Sequence, residues 1–165
     1  MTSEHLLHTI TPIYDGNSKI LILGSFPSVK SREVSFYYGH PQNRFWRVLA
    51  AVLGCAVPSS NEEKTALLQS HNIALWDVIK SCDIVGSSDS SIKNVVPNDI
   101  GVILSSCGIR QIYSNGKTSE KLFNKYIKDT VGRDTVALPS TSPANASYNL
   151  ERLTDSWSVI KNNIR

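Results

Sequence analysis

Cysteine is too scarce and too scattered in this chain to build a metal centre. Cys55, Cys82 and Cys107 lie more than twenty residues apart, with no CxxC pair. That spacing argues against a zinc or four-cysteine iron–sulfur site and for reduced thiols in a cytosolic-type compartment. Long apolar runs are missing too. No stretch approaches the roughly 20 residues that a membrane span needs, and the opening MTSEHLLHTITPIYDGNS is polar and broken by Pro12, unlike a secretory signal. Charge of one sign is not in excess. Lys and Arg number 17 against 14 Asp and Glu, which admits a polyanionic partner but not binding driven by a basic blanket. There is no P-loop or G-x-G-x-x-G, so nothing favours an enzyme with a phosphate-bearing cofactor. A G-x-S-x-G elbow is also absent and no cysteine sits in a motif loop, which disfavours a hydrolase with a Ser or Cys nucleophile.

What remains is an ordinary globular composition, 41% hydrophobic and 19% charged, which excludes a disordered or fibrous chain. A length of 165 residues suits one domain spanning 1–165 that folds without disulfides or a structural metal. Residues 19–26 (KILILGSF) are a short continuous apolar run and predict a strand buried on both faces. Phe45, Val48, Leu49, Val52 and Leu53 recur at helical spacing, with Asn43 placed to cap them and Gly54 to stop them. A second helix is expected over 61–71, a strand over 73–79, a Ser-rich loop over 80–97 and a helix from Pro97-Asn98-Asp99 to Ser106. Residues 109–114 and 135–138 read as strands and 117–128 as a helix. A C-terminal helix carries Leu150, Leu153, Trp157, Ile160 and Ile164 on one stripe. This alternation predicts the α/β class, a three-layer α/β/α arrangement around a central, mainly parallel four-stranded sheet. Ligands of such sheets bind beyond the carboxyl ends of the strands, which singles out loops 24–43, 77–96, 114–117 and 138–147.

Three of those loops are chemically unusual: Gly24-Ser25-Phe26-Pro27-Ser28 followed by Phe36-Tyr37-Tyr38-Gly39-His40-Pro41-Gln42-Asn43-Arg44-Phe45-Trp46, then Ser114-Asn115-Gly116-Lys117, then Leu138-Pro139-Ser140-Thr141-Ser142-Pro143-Ala144-Asn145-Ala146. In that order they resemble the uracil-DNA glycosylase superfamily, and within it the hypoxanthine-DNA (deoxyinosine) glycosylase branch, from about residue 19 to the end. The resemblance implies a base-excision repair enzyme, and the absence of an evident abasic-lyase lysine in the motif loops points to a monofunctional one. Such an enzyme flips a deaminated base out of DNA and hydrolyses its N-glycosidic bond, leaving an abasic site. Hypoxanthine leads, with uracil, xanthine and mismatched thymine behind it. It also implies no cofactor and no metal, and a monomer acting on DNA in the cytoplasm (at the nucleoid), or in a eukaryotic nucleus.

Extruding a base costs a few kcal/mol of unstacking. Cleavage then places positive charge on the sugar and negative charge on the departing base, so the site needs walls, oriented donors and a positioned water. Phe26, Phe36, Tyr37 and Tyr38 are candidates to stack on or enclose the base, Phe26 being equally a core residue at a strand end. Gly24, Ser25 and Pro27 complete the first base-binding loop, and Asp77 and Asn115 are placed to reach the base from neighbouring strands. A carboxylate at Asp77 suits the N1–H of hypoxanthine, though the N3–H of uracil is similar. Related enzymes of the superfamily carry Asp or Asn two residues after the first Gly to position the water. Here that place holds Phe26, and resemblance to the deoxyinosine branch points to Asn43 instead, its carbonyl oxygen orienting the water. An N-cap role for Asn43 is compatible with this. His40 is the second catalytic candidate, as a donor to base or phosphate, or else a structural hydrogen-bonder.

Ser28, Ser140, Thr141, Ser142, Pro143, Ala144 and Asn145 are the expected DNA contacts, the last loop gripping phosphates with hydroxyls and backbone N–H groups. Many relatives carry a Leu wedge where this chain has Ala144, so Asn145 would fill the vacated stack, or extrusion would rely on weak pairing at the lesion. Asp89 reads as a turn former that orients loops. Lys30, Arg32, Arg44, Arg47, Lys117 and Lys121 could follow a phosphate backbone, or simply be solvated. Because Phe26 cannot activate water, a non-catalytic nucleotide- or DNA-binding module on the same fold is the alternative.

Overall fold

Ile20–Gly24 is buried at every position, and its side chains alternate between two cores. Ile20 and Ile22 join one cluster and Leu21 and Leu23 the other, as a strand with both faces covered requires. The computed structural model describes residues 2–165. The strands in chain order are β1 (Glu4–Leu7), β2 (Ile20–Gly24), β3 (Ile73–Asp77), β4 (Ile79–Ile84), β5 (Lys93–Pro97), β6 (Gln111–Asn115) and β7 (Thr135–Leu138). The helices are α1 (Val29–Val34), α2 (Phe45–Leu53), α3 (Asn61–Ser70), α4 (Gly101–Ser106), α5 (Lys117–Tyr126), α6 (Lys128–Val131) and α7 (Leu150–Trp157).

The central sheet has the order β3-β2-β6-β7 and is parallel throughout. α2, α3 and α7 supply Phe45, Leu49, Leu68, Leu153 and Trp157 to the core on one face. α4 and α5 supply Ile103 and Phe123 to the core on the other. The predicted three-layer α/β/α architecture is therefore present. The chain leaves β2 toward β3 on one side and leaves β6 toward β7 on the other, so the crevice opens between the carboxyl ends of β2 and β6.

The segment read as a Ser-rich loop, 80–97, is largely strand. β4 pairs antiparallel with β1 and with β5 in a second, three-stranded sheet. Its polar Lys80 and Asp83 disguise a strand that buries Ile79, Cys82 and Ile84 against the second core. Asn98 staples the junction of the two sheets, donating through Nδ2 to the carbonyls of Asp77 (2.9 Å) and Ile79 (3.1 Å). Further departures are local. The helix expected from Pro97-Asn98-Asp99 starts at Gly101, because Pro97 ends β5. Residues 29–34 form the short helix α1 inside the expected loop, and the C-terminal helix gives way after Trp157 to a 3₁₀ turn over Ser158–Asn162. Among the described residues no helix is long and apolar enough to cross a membrane.

Candidate active site

Beyond the carboxyl ends of β2, β3 and β6 lies an open cavity of about 380 Å³, within the range of about 300–1,000 Å³ usual for small-molecule sites. It gathers the residues expected to bind the base, act in catalysis or meet DNA from the first and last loops, except Phe36 and Asn145. Gly24 and Asp77 are register partners on adjacent strands, and the backbone at Gly24 leaves no room for a side chain. A Cβ there would stand 2.4 Å from Asp77 Oδ1 and 3.0 Å from the Tyr38 hydroxyl.

Asp77 is 4% exposed, and one of its oxygens is held by a residue the sequence did not mark. His8, just past the end of β1, brings Nε2 to 2.8 Å from Asp77 Oδ2, with 2% and 5% of the two side chains exposed. The hydrogen of this bond sits on the imidazole and the carboxylate accepts. Oδ1 has no such partner among the described residues. The His8 ring packs edge-on to Phe26 (6.0 Å between centroids) and lies 6.3 Å from Tyr37. No spacing rule could have found His8, because the antiparallel pairing of β1 with β4 is what carries it across 69 residues of sequence to Asp77.

Asn43 stands one residue ahead of the cap position of α2, which Arg44 occupies, and still reaches the first N–H of the helix. Its Oδ1 accepts from the Phe45 N–H (2.9 Å) and from the Thr141 hydroxyl (2.9 Å). An amide N–H can only be met by oxygen, so the orientation of the amide is fixed. Both lone pairs of that oxygen are thereby engaged, and Nδ2 has no partner among the described residues. The carbonyl expected to orient water is occupied, and Asn43 faces the cavity as a donor. His40 Nδ1 accepts from the Gln42 N–H (3.1 Å), which places the ring hydrogen on Nε2.

Thr141, expected to touch DNA, is fully buried and serves as a hub. It accepts from Asn115 Nδ2 (3.0 Å), its own N–H donates to Asn115 Oδ1 (3.0 Å), and its carbonyl accepts from the Arg44 N–H (3.1 Å). Asn115, expected to reach the base, thus has both ends of its amide engaged with the loop. Gly116 has φ +94° and lies so close to the loop that a Cβ would meet Ser140 Cβ at 3.0 Å. Ser140 and Ser142 accept from backbone N–H groups two residues on, at 3.1 and 3.2 Å, and Ser28 caps α1 by accepting from the Ser31 N–H.

Asn145 is turned inward. Its Nδ2 donates to the Ser140 carbonyl (3.0 Å) and its Oδ1 accepts from Ser147, so it staples the loop and does not fill the place of a wedge. Pro143 and Ala144 are left exposed at the rim. Arg44 is spent in the same way. Its guanidinium donates to the carbonyls of Ser142 (2.8 Å), Asn145 (3.1 Å) and Tyr148. Arg32 donates to the Pro27 and Gly86 carbonyls, and Arg47 to those of Gln42 and Asn43. Arg44 and Arg32 are thus engaged with loop carbonyls, while Arg47 stays exposed.

Phe26 both walls the cavity and packs on the second core, with the Arg32 guanidinium 5.7 Å from its ring centroid. Phe36 lies elsewhere, stacked on Trp46 at 6.1 Å. Tyr38 adopts the left-handed region (φ +53°), a conformation that costs of order 1–3 kcal/mol, and stacks on Phe45 at 4.1 Å. Burial, and then the charge of Asp77, push its phenol well above the ordinary range. Asp89, expected as a turn former, also lines the cavity. Desolvation raises its carboxyl above the usual range, against the hydroxyls of Ser25 and Thr118, which lower it. Among the described residues no three His, Cys, Asp or Glu side chains gather to hold a metal ion.

Comparison with known proteins agrees with this geometry. The sequence profile described as the uracil DNA glycosylase superfamily matches residues 11–162. A protein of Methanosarcina barkeri named hypoxanthine DNA glycosylase is 35% identical over 136 residues, covering 81% of this chain and 85% of its own. A protein of the same name from Methanosarcina acetivorans is 34% identical over 150 residues, covering 90% and 93%. The solution NMR structure of a Methanosarcina acetivorans protein put forward as a uracil DNA glycosylase superimposes with a TM-score of 0.79 at 32% identity, over 92% of this chain and 94% of that one. A parallel sheet with its cavity at the β2/β6 crevice, and a match that runs through every loop lining it, place this chain in the uracil DNA glycosylase superfamily.

Proposed function

We propose that this protein is a monofunctional DNA glycosylase that flips hypoxanthine out of DNA and hydrolyses its N-glycosidic bond, leaving an abasic site. The observation that carries the reading is the convergence of three polar groups on one aromatic-walled cavity: the free oxygen of Asp77, the free Nδ2 of Asn43 and His40. A purine edge carrying N1–H beside a carbonyl suits a carboxylate acceptor. Uracil presents a similar edge, and the two relatives named hypoxanthine DNA glycosylase favour the purine.

Phe26 and Tyr38 wall in the base, and Gly24, Ser25 and Pro27 let it approach the end of β2. Phe26 offers no oxygen to activate water, so the chemistry rests on electrostatics and orientation. Asn43 Nδ2 donates toward the negative charge that develops on the departing purine, and His40 Nε2–H supplies a second donor. The loop over 139–147, held rigid by Arg44 and Thr141, meets the DNA backbone through its serine hydroxyls and presents Pro143 and Ala144 to the duplex. The reading requires neither metal nor cofactor and is complete in one copy of the chain, working wherever the cell keeps its DNA.

The test is single-turnover cleavage of labelled duplexes carrying one hypoxanthine, uracil or guanine–thymine site, read after alkali. Cleavage at hypoxanthine ahead of the other sites is expected. A folded protein that binds the hypoxanthine duplex and cuts none of the three would sink the reading in favour of a DNA-binding module.

A further inference from the structure

We propose that His8 is a positioning residue for base recognition: its Nε2–H clamps one oxygen of Asp77 so that the other stands as a fixed hydrogen-bond acceptor for an N–H of the flipped base. The inference rests on the functional reading above and adds to it the device that sets its specificity. Asp77 is almost completely buried, and a carboxylate taken out of water needs a partner to offset its lost hydration. Its side chain has one, His8 at 2.8 Å, itself almost completely buried. That bond accounts for Oδ2 only. Oδ1 lies against the bare Cα of Gly24, where a Cβ would be 2.4 Å away, and Asp77 lines the cavity.

Asp77 is therefore held at three points, one on its backbone and two on its carboxylate. Asn98 grips the Asp77 carbonyl, the Gly24 backbone limits the carboxyl on one side, and His8 fixes its rotation. The imidazole is itself confined between Phe26 and Tyr37, and the His8 N–H bonds the Lys80 carbonyl of β4 at 2.7 Å. Residue 8 lies outside the stretch matched to the superfamily, 11–162.

The consequence is a choice between purines. A carboxylate only accepts. The N1 position of hypoxanthine carries a hydrogen and satisfies it, whereas N1 of adenine is an acceptor and would set lone pair against lone pair. Sites built around a substrate hydrogen bond reject analogues that lack it far more strongly than apolar pockets reject a change of size. A clamped acceptor is what an enzyme needs to spare the undamaged base while cutting its deaminated product.

The experiment is a double-mutant cycle of His8→Leu and Asp77→Asn. The readout is the single-turnover rate and half-saturating enzyme concentration on a hypoxanthine duplex, with Tm checked for each variant and an adenine duplex as control. His8→Leu should slow cleavage about 10- to 100-fold, the range for a hydrogen bond to a charged group, while His8→Gln, which returns an N–H to the place of Nε2, recovers most of the rate. In the Asp77→Asn background, His8→Leu should cost less than about twofold more, because a residue acting only through another is not additive with it. Should His8→Leu fold poorly, His8→Asn, whose amide is too short to reach Oδ2, takes its place in the cycle. A folded His8 variant that cuts at the wild-type rate, or equal losses in both backgrounds, would overturn the inference while leaving the glycosylase reading intact. Failure of the wild-type protein to cut hypoxanthine overturns the functional reading, and this inference with it.

Discussion

Asn43→Asp separates two ways in which an amide can serve this reaction. The wild-type oxygen already accepts from Phe45 N–H and the Thr141 hydroxyl, and an aspartate oxygen can keep both bonds. The new charge lies at the N-terminus of α2, where negative charge is favourable by about 0.3–1 kcal/mol, so the variant should fold as well as the parent. What it loses is the Nδ2–H donor. If Asn43 steadies charge on the departing base, that loss should cost on the order of 10²–10³ in single-turnover rate, or about 2.7–4 kcal/mol, as for other preorganised donors. Asn43→Ala should lose the donor and the bond to the Phe45 N–H together. A side-chain bond of this kind at a helix start is worth about 0.5–2 kcal/mol, and each kcal/mol moves Tm by about 2–4 °C in a domain of this size. Both variants should thus be slow on a hypoxanthine duplex, and only the alanine variant should melt early. The reasoning is refuted if Asn43→Asp cuts as fast as the parent or faster near pH 7. A carboxylate would then be doing the work of a water-orienting oxygen, and the donor would be irrelevant.

Three further outcomes follow from the same geometry. Gly24→Ala forces the Asp77 carboxyl to move, and overpacking of this kind costs about 1–3 kcal/mol; thermal melting and hypoxanthine cleavage should both fall, and a variant unchanged in both would show that the contact yields freely. Thr141→Val removes the hydroxyl that bridges Asn43 and Asn115, so the denaturant midpoint should fall by the equivalent of about 1–3 kcal/mol, Thr141→Ser should recover it, and equal midpoints for all three proteins would dismiss the hub. Desolvation holds the folded-state pKa of Asp89 above the ordinary aspartate value, so its protonated form favours the folded state. Stability from this group is present below about pH 4 and is lost as pH rises through the folded-state pKa. Asp89→Asn should therefore raise Tm at pH 7 and give no gain near pH 3, and a gain that is the same at both would discard desolvation as its cause.

The parallel sheet was readable because burial on both faces leaves continuous apolar runs, and the loops beyond its carboxyl ends could be named from that alone. The second sheet was not. β1 is mostly exposed and β4 interrupts its apolar residues with Lys80, Ser81 and Asp83, so neither carries a strand pattern without its partners. For the same reason His8 was invisible, since its meaning comes from a pairing across 69 residues. Asn43 and the terminal loop were legible as places but not in their detailed roles. A sequence can mark an amide beside a helix start, but not which of its two ends the neighbours consume. Arg32 and Arg44 were legible as cations, but their partners were not. A guanidinium suits a phosphate oxygen and a backbone carbonyl equally, and only the fold shows that loops 24–28 and 139–148 left carbonyls for them to meet.

Those arginines bear on how a base is extruded without a large wedge. Relatives that push with a leucine can force a well-paired base out of the stack. This chain offers Pro143 and Ala144 at an exposed tip, with Asn145 folded back to hold the turn. The tip is small but stiff: Arg44 binds three of the carbonyls beneath it, Thr141 ties its start to Asn43 and Asn115, and Pro143 has a fixed φ. A stiff, small tip loses little entropy on docking, but it also supplies little of the few kcal/mol that unstacking requires. The balance then falls on the DNA, where a damaged or mismatched base costs least to extrude. Selection in such an enzyme happens twice. The duplex releases a poorly paired base to the tip, and the clamped Asp77 accepts it only if the ring nitrogen facing it carries a hydrogen. Adenine paired with thymine fails both steps, so a modest barrier at each multiplies into a strong preference for the deaminated base.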